Sequence, residues 1–261
     1  MAFLLGPRSL EEGFRLAACE TLGSTSTEAM ACAKAGDPGR LWIVAGEQTE
    51  GHGRRGRPWH TPRGNLAASL LIPTSGDPAR TATLGFAAGL ALEGAIRVTA
   101  PSLHADLRLK WPNDVLIDDA KVAGILLEAV SLLEGRSAAV IGIGVNVART
   151  PKGLPHPATS LAEAGADLTA EALFAALTDA WVDQEALWNA GRGFAAIRDH
   201  WLARAAGLGA PVAVRLGQDV LRGTFETIDD EGRLVMRGRD GSARSVSAGD
   251  VFFGKAATAE V

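Results

Sequence analysis

Apolar residues fall into runs whose spacing changes along the chain, and each spacing predicts a different kind of element. Residues 41–45 (LWIVA) and 66–72 (LAASLLI) are largely apolar runs of strand length, which predicts two strands. Leu84, Ala88, Leu92 and Ile96 recur every four residues, predicting a helix with one buried stripe after a turn over residues 73–78. Small residues at Gly85, Ala87, Gly89 and Ala91 would let that helix lie close to a sheet. Ahead of these, residues 24–28 (STSTE) precede the alanine-rich run 29–35, predicting a capped helix that Gly36, Asp37, Pro38 and Gly39 end.

Residues 107–117 predict two strands separated by Pro112, Asn113 and Asp114. A turn at 118–120 then makes a β-hairpin with residues 121–130. A further turn at 133–137 leads to the apolar strand 138–147, and the proline-rich stretch 150–157 predicts an irregular connection. Two helical segments follow, 170–188 and 194–206, with Leu173, Leu177, Trp181 and Trp188 on one stripe. From about residue 208 the period shortens to alternating strands at 212–215, 221–226, 234–237 and 243–246, spaced as in a small β-barrel. The expected class is α+β. A mixed-sheet domain packed with helices spans residues 1–207, and a small barrel domain spans 208–261.

Composition narrows the possibilities. Hydrophobic residues make up 47% and charged residues 21% of 261, as in ordinary globular proteins. A formal charge of −4 argues against a dedicated nucleic-acid binder. Two cysteines, Cys19 and Cys32, make no disulfide framework and are expected to be small buried hydrophobes in a reducing compartment. Neither a signal peptide nor a membrane span is apparent, so a cytoplasmic protein that does not use a membrane is expected.

Against that acidic background, residues 48–63 stand out. Gly51, Gly53 and Gly56 alternate with Arg54, Arg55 and Arg57, Arg63 follows, and Pro58 precedes Trp59. Glycines let backbone N–H groups approach an anion, arginine supplies a charged planar fork, and an indole offers a face for stacking a base. The flanking strands would present this loop rigidly. Elsewhere there is no GxxxxGK[ST] and no GxSxG, the glycines at 142 and 144 do not extend to GxGxxG, and the histidines show no metal-ligand spacing. Lys110 and Lys121 remain as further cations. Asn146 is an amide inside an apolar run, there either to satisfy a neighbouring backbone group or to reach a ligand.

Four segments in order, 48–59 (QTEGHGRRGRPW), 110–114 (KWPND), 121–128 (KVAGILLE) and 142–146 (GIGVN), resemble the signature blocks of the biotin protein ligases. Ser24-Thr25 and the C-terminal strands extend the resemblance over nearly the whole chain. It implies a biotin/lipoate ligase-like catalytic fold with an SH3-like barrel. It also implies a two-step reaction, in which biotin and MgATP give biotinyl-5′-adenylate and a lysine of a biotin carboxyl carrier protein then takes the biotin. ATP with Mg²⁺ is the substrate complex, and no tightly bound cofactor is expected. By this resemblance Arg54 and Lys121 are catalytic. Ser24, Thr25, Ser26, Gln48, Gly51, His52, Gly53, Arg54, Lys121 and Gly124 bind biotin. Arg54, Arg57, Trp59, Lys110, Asn113, Asp114 and Asn146 bind ATP, with Trp59 and Asn146 enclosing the adenine and Asn113 and Asp114 at the metal end.

Two positions depart from the family pattern: Ser26 stands where asparagine is common, and His52 where arginine is common. An imidazole is mostly neutral at pH 7, so the adenylate is expected to be held more loosely. Ser24-Thr25 falls close to the start, so a DNA-binding, repressing N-terminal domain is not expected, and no DNA partner with it. A homodimer is an expectation of the resemblance. The rivals are a lipoate ligase or octanoyl transferase of the same fold, and a nucleic-acid-binding module using the Gly/Arg loop. A cysteine nucleophile for the transferase is not offered by Cys19 or Cys32, which precede every signature block.

Overall fold

A computed structural model describes residues 2–74, 76–103 and 106–253. The end of the expected barrel domain, residues 254–261, lies outside the described residues, as does His104. In chain order the elements are α1 (Pro7–Glu11), β1 (Arg15–Leu22), α2 (Thr25–Lys34), β2 (Leu41–Gln48), β3 (Leu66–Thr74), α3 (Pro78–Ala82), α4 (Leu84–Thr99), β4 (Leu107–Lys110), β5 (Asp114–Ile117), β6 (Ala120–Ser131) and β7 (Ser137–Val145). They continue with α5 (Ala170–Trp188), α6 (Phe194–Leu202), β8 (Pro211–Leu216), β9 (Asp219–Ile228), β10 (Leu234–Arg237), β11 (Ala243–Val246) and β12 (Asp250–Phe253).

Seven strands form one mixed sheet in the order β1-β2-β3-β7-β6-β5-β4, with β1 and β2 parallel and the other neighbours antiparallel. Strand alternation divides the buried residues between its faces. On one face Leu66, Ala68, Leu70 and Ile72 of β3 and Ile141, Ile143 and Val145 of β7 join Leu84, Ala88, Leu92 and Ile96 of α4 and Leu173, Leu177 and Trp181 of α5 in the main core. On the other face α2 packs Ala29 and Ala33 onto Ile43, Leu71, Val130 and Val140 and covers only one end of the strands. The remainder of that second face carries the rows Ser69–Gly142–Leu126 and Ala67–Gly144–Gly124, register partners across β3, β7 and β6. A sheet surface lined by glycine and serine leaves room for something other than core.

The caps follow the sequence. Ser24 Oγ accepts the Thr27 N–H of α2, and Thr169 accepts the Ala172 N–H of α5. Four elements were not anticipated: α1, β1, α3 and β12. The last helix stops at Leu202 rather than near 206, because the chain beyond it pairs with β4: Leu109 N–H donates to Arg204 O and Ala206 N–H to Leu109 O. The C-terminal strands form an antiparallel sheet of order β11-β10-β9-β8-β12, and no pairing between β11 and β12 closes it into a barrel among the described residues. Trp111 ties the two sheets together by donating its indole N–H to Gly232 O at 3.0 Å, and the Trp111–Pro112 peptide is cis. Cys19 and Cys32 are free and half-buried rather than buried, and burial pushes the Cys32 thiol up. No helix among the described residues is long and apolar enough to cross a membrane.

Candidate active site

The glycine-arginine segment is the connection between β2 and β3, and it folds back over the open face of the sheet. Its own backbone bonds shape it: Gly53 N–H donates to Arg57 O and Trp59 N–H to Gly51 O, both at 2.8 Å. Gly51 is required by close approach, since a β-carbon there would lie 2.7 Å from Gln48 Nε2 and run into the Trp59 carbonyl. The Trp59 indole lies across the glycine row. A β-carbon on Gly144 would meet Cζ2 at 2.7 Å, and one on Gly124 would meet Cζ3 at 3.4 Å and Lys121 Nζ at 3.2 Å.

Beside Gly142 is a neutral hydroxyl and amide cluster. Gln48 Oε1 accepts from Thr25 N–H at 2.8 Å and from Thr25 Oγ1 at 3.1 Å, while Gln48 Nε2 donates to Thr61 Oγ1 at 3.3 Å. Ser69 Oγ, fully buried on β3, hydrogen-bonds Thr25 Oγ1 at 2.8 Å and Ser26 Oγ at 3.0 Å. Gly142 makes room for this, because a β-carbon there would stand 2.5 Å from Ser26 Oγ. Ser24, Thr25, Ser26 and Gln48 are thus brought together, and Ser69 joins them. Sequence reasoning missed Ser69, although a hydroxyl inside the apolar run 66–72 is the same kind of signal that drew attention to Asn146.

Beside Gly124 stand the cations. Lys121 Nζ lies 2.6 Å from Asp114 Oδ1, an ion contact without the angular geometry of a hydrogen bond, and 5.5 Å from the Trp59 ring centroid. Arg54 donates from Nη1 to Asn113 Oδ1 at 3.0 Å, and Asn113 Nδ2 donates to Ile125 O at 2.8 Å. Burial, reinforced by Arg55, pulls the Arg54 guanidinium below its ordinary value. Lys110, over the Phe253 ring at 5.8 Å, is also lowered by burial, with Asp114 opposing and Lys121 adding to the shift. His156 faces the same cations: burial and Lys121 lower its imidazole, and Lys110 and Arg57 add to them.

The loop also reaches the C-terminal sheet. Arg57 contacts both Asp250 oxygens, at 2.8 and 3.3 Å, and Arg55 reaches one at 3.2 Å. Burial would raise the Asp250 carboxyl, but the Arg57 hydrogen bond and the charges of Arg57, Arg55 and Arg54 outweigh it and hold it low. Arg63 is not part of this cluster and pairs with Glu47 at 3.4 Å. Asn146 is 3% exposed, and its Nδ2 donates to Thr159 O at 3.0 Å, so the amide in the strand run has a backbone partner. A cavity of about 440 Å³ opens beside Arg54 and Asn113, between α4 and the C-terminal sheet, and none of Ser24, Thr25, Ser26 and Gln48 lines it.

No group of three or more His, Cys, Asp or Glu side chains among the described residues is placed to hold a metal ion. Asp114 is a carboxylate facing the cations. A single carboxylate suits a Mg²⁺ ion that arrives on a nucleotide and keeps phosphate and water as its other ligands.

A neutral hydrogen-bonding cluster at Gly142, the indole of Trp59 at Gly144 and Gly124, and a cation at Gly124 therefore share one glycine floor. Residues 21–146 match the biotin/lipoate A/B protein ligase family, and residues 207–254 the biotin protein ligase C terminal domain. A biotin–[acetyl-CoA-carboxylase] ligase of Paracoccus denitrificans is 42% identical over 237 residues, covering 88% of this chain and 97% of that one. The chain belongs to the biotin protein ligases. A ligase of the same name from Mycobacterium tuberculosis is 35% identical over 238 residues, 88% of this chain and 85% of that one. In fold, this biotin protein ligase is similar to the Aquifex aeolicus biotin protein ligase in complex with biotin and ATP, with a TM-score of 0.76 at 22% identity, covering 92% of this chain and 99% of that one.

Proposed function

We infer that the protein is an ATP-dependent biotin–[acetyl-CoA-carboxylase] ligase. One observation carries the reading: the Thr25–Gln48–Ser69 cluster, with Ser26 over Gly142, and the Arg54–Lys121–Asp114 cluster, with Lys121 over Gly124, share one glycine-lined face on which Trp59 lies over Gly144 and Gly124. A ureido ring offers donors and acceptors that a neutral cluster can match, whereas a carboxylate and a triphosphate need cations between them.

In the first step a biotin carboxylate oxygen bonds to the α-phosphorus of ATP, and the bond from that phosphorus to pyrophosphate breaks. Ser24, Thr25, Ser26 and Gln48 hold the ureido ring, and backbone at Gly51, Gly53 and Gly124 flanks the tail together with His52. Arg54 and Lys121 draw the two anions together and offset charge on the phosphate in the transition state. Arg57 and Lys110 neutralise the remaining phosphates, Asn113 and Asp114 serve the end that carries Mg²⁺, and Trp59 with Asn146 borders the adenine. In the second step the amine of a carrier-domain lysine attacks the carbonyl, the bond to AMP breaks, and the amine proton passes to solvent.

The partner in this reading is a biotin carboxyl carrier domain in the cytoplasm. Residues 1–207 form the catalytic unit and 208–261 the C-terminal one. A homodimer that extends the seven-stranded sheet would use a terminal strand, and β1 forms one end of the sheet. The test of the function is biotin-dependent exchange of pyrophosphate into ATP. Exchange driven by lipoate instead would move the protein to the sister activity.

A further inference from the structure

His52 and Glu128 meet where the loop crosses the sheet. His52 Nε2 lies 3.8 Å from Glu128 Oε2, and the two side chains are 32% and 26% exposed. Glu128 is on β6, register partner of the buried Val140, and its Oε2 is buried without a hydrogen-bond partner. A buried carboxylate oxygen with no donor is costly, and a cation brought to it is correspondingly favoured. The other charged groups next to His52 along the loop point elsewhere. The Glu50 carboxylate is directed at Gly23, where a β-carbon would lie 3.4 Å from Oε2, and the Arg54 guanidinium is bonded to Asn113 at 3.0 Å. From the sheet, Glu128 faces the imidazole.

We propose that Glu128 acts as a positioning residue by gripping His52, fastening the 51–59 loop to β6 while the imidazole carries its proton and slackening it when the proton is lost. His52 is also paired with Pro58 across the loop, so a pull on His52 reaches both arms at once. Arg54, two residues on, is placed over Asn113 by the closed loop, and this step alone rests on the ligase reading above. An imidazole is a side chain whose charge can change near neutral pH, so a link that depends on that charge is one that pH can make and break. An arginine in the same place would not titrate there, and the histidine therefore adds a response to pH that a permanently charged side chain lacks.

The test is hydrogen exchange of the loop amides in the ligand-free full-length protein, read at Gly53, Gly56, Arg57 and Trp59, whose N–H groups are all bonded within the loop. After correction for intrinsic exchange, protection in the unsubstituted protein should be about two- to fivefold higher near pH 6 than near pH 8, the size expected of a partly exposed charge pair. His52→Gln and Glu128→Gln should each abolish the difference by lowering protection at the acid end. Combining them should add nothing further. His52→Arg should rescue protection and make it equal at both pH values. A difference that persists unchanged in His52→Gln, or in Glu128→Gln, overturns the proposal, as does equal protection at both pH values in the unsubstituted protein. No biotin or ATP is present in this experiment, so failure of the ligase activity would leave its outcome legible.

Discussion

The indole of Trp59 occupies the space that a side chain on Gly144 would fill, with Cζ2 only 2.7 Å from where a β-carbon would stand. Gly144 lies in β7 opposite Gly124, and the φ of neither is in the left-handed region, so alanine is compatible with the backbone, and the three nearest atoms that its β-carbon would meet all belong to the ring. Gly144→Ala should therefore leave the fold intact while displacing Trp59. Trp59→Ala should weaken ATP binding by about 1–3 kcal/mol and biotin binding by less, if its face stacks on the base. Calorimetric titration of each ligand measures this, and equal losses for both would mean that Trp59 orders the loop instead.

Lys121 stands 2.6 Å from Asp114 at the start of β6, with its side chain only 18% exposed. It packs beside Trp59 and contributes little to the main core. Lys121→Ala should unfold within a few degrees of the parent while biotin adenylation falls by about two orders of magnitude or more, the usual scale for losing a transition-state cation. Near-normal turnover would remove Lys121 from the catalytic pair.

Ser69 separates the biotin reading from the nucleotide reading. Its hydroxyl bonds Thr25 and Ser26, and it lies 44 residues from the first of them in sequence. Ser69→Ala should raise the KM for biotin with little change in the KM for ATP, and cost about 1–3 kcal/mol of stability for the buried bonds lost. A change in the KM for ATP of equal size would mean that the two clusters are not separate.

Asp250 gives a prediction with a pH sign. Its carboxyl is held below the ordinary value by the loop arginines, so the stability it contributes is present above the unfolded carboxyl's range and is lost as pH falls through the lowered folded value. Arg57 is 64% exposed and Asp250 27%, which limits the contribution to about 1 kcal/mol or less and makes it salt-sensitive. Asp250→Asn should lower the unfolding free energy by that amount from about pH 5 upward, with the difference vanishing in strong acid. A difference that grows on acidification would contradict the assignment.

What was legible in the sequence was whatever depended on neighbours along the chain. The apolar runs of β2 and β3, the four-residue stripe of α4 and the capping serine of α2 each express a local rule, and the glycine-arginine loop announced itself by composition. The strand β1 was missed because it is an edge strand, RLAACETL, whose burial follows no clean alternation. The short strand β12 carries only four residues. The pairs that close the site were invisible for a different reason. Asp250 lies 195 residues from Arg55, and Glu128 meets His52 only because the β2–β3 connection folds over β6. No local spacing encodes a contact of that kind, whereas the hydroxyl of Ser69 inside an apolar run was a signal available to be read.

The most direct test of the ligase assignment is pyrophosphate exchange into ATP by the purified protein, supplied in turn with no acid, biotin, lipoate and octanoate. The arrangement of Thr25, Gln48 and Ser69 opposite Arg54 and Lys121 predicts exchange with biotin alone, abolished by Lys121→Ala. Exchange supported by lipoate or octanoate, or exchange with biotin that survives in Lys121→Ala, would contradict it.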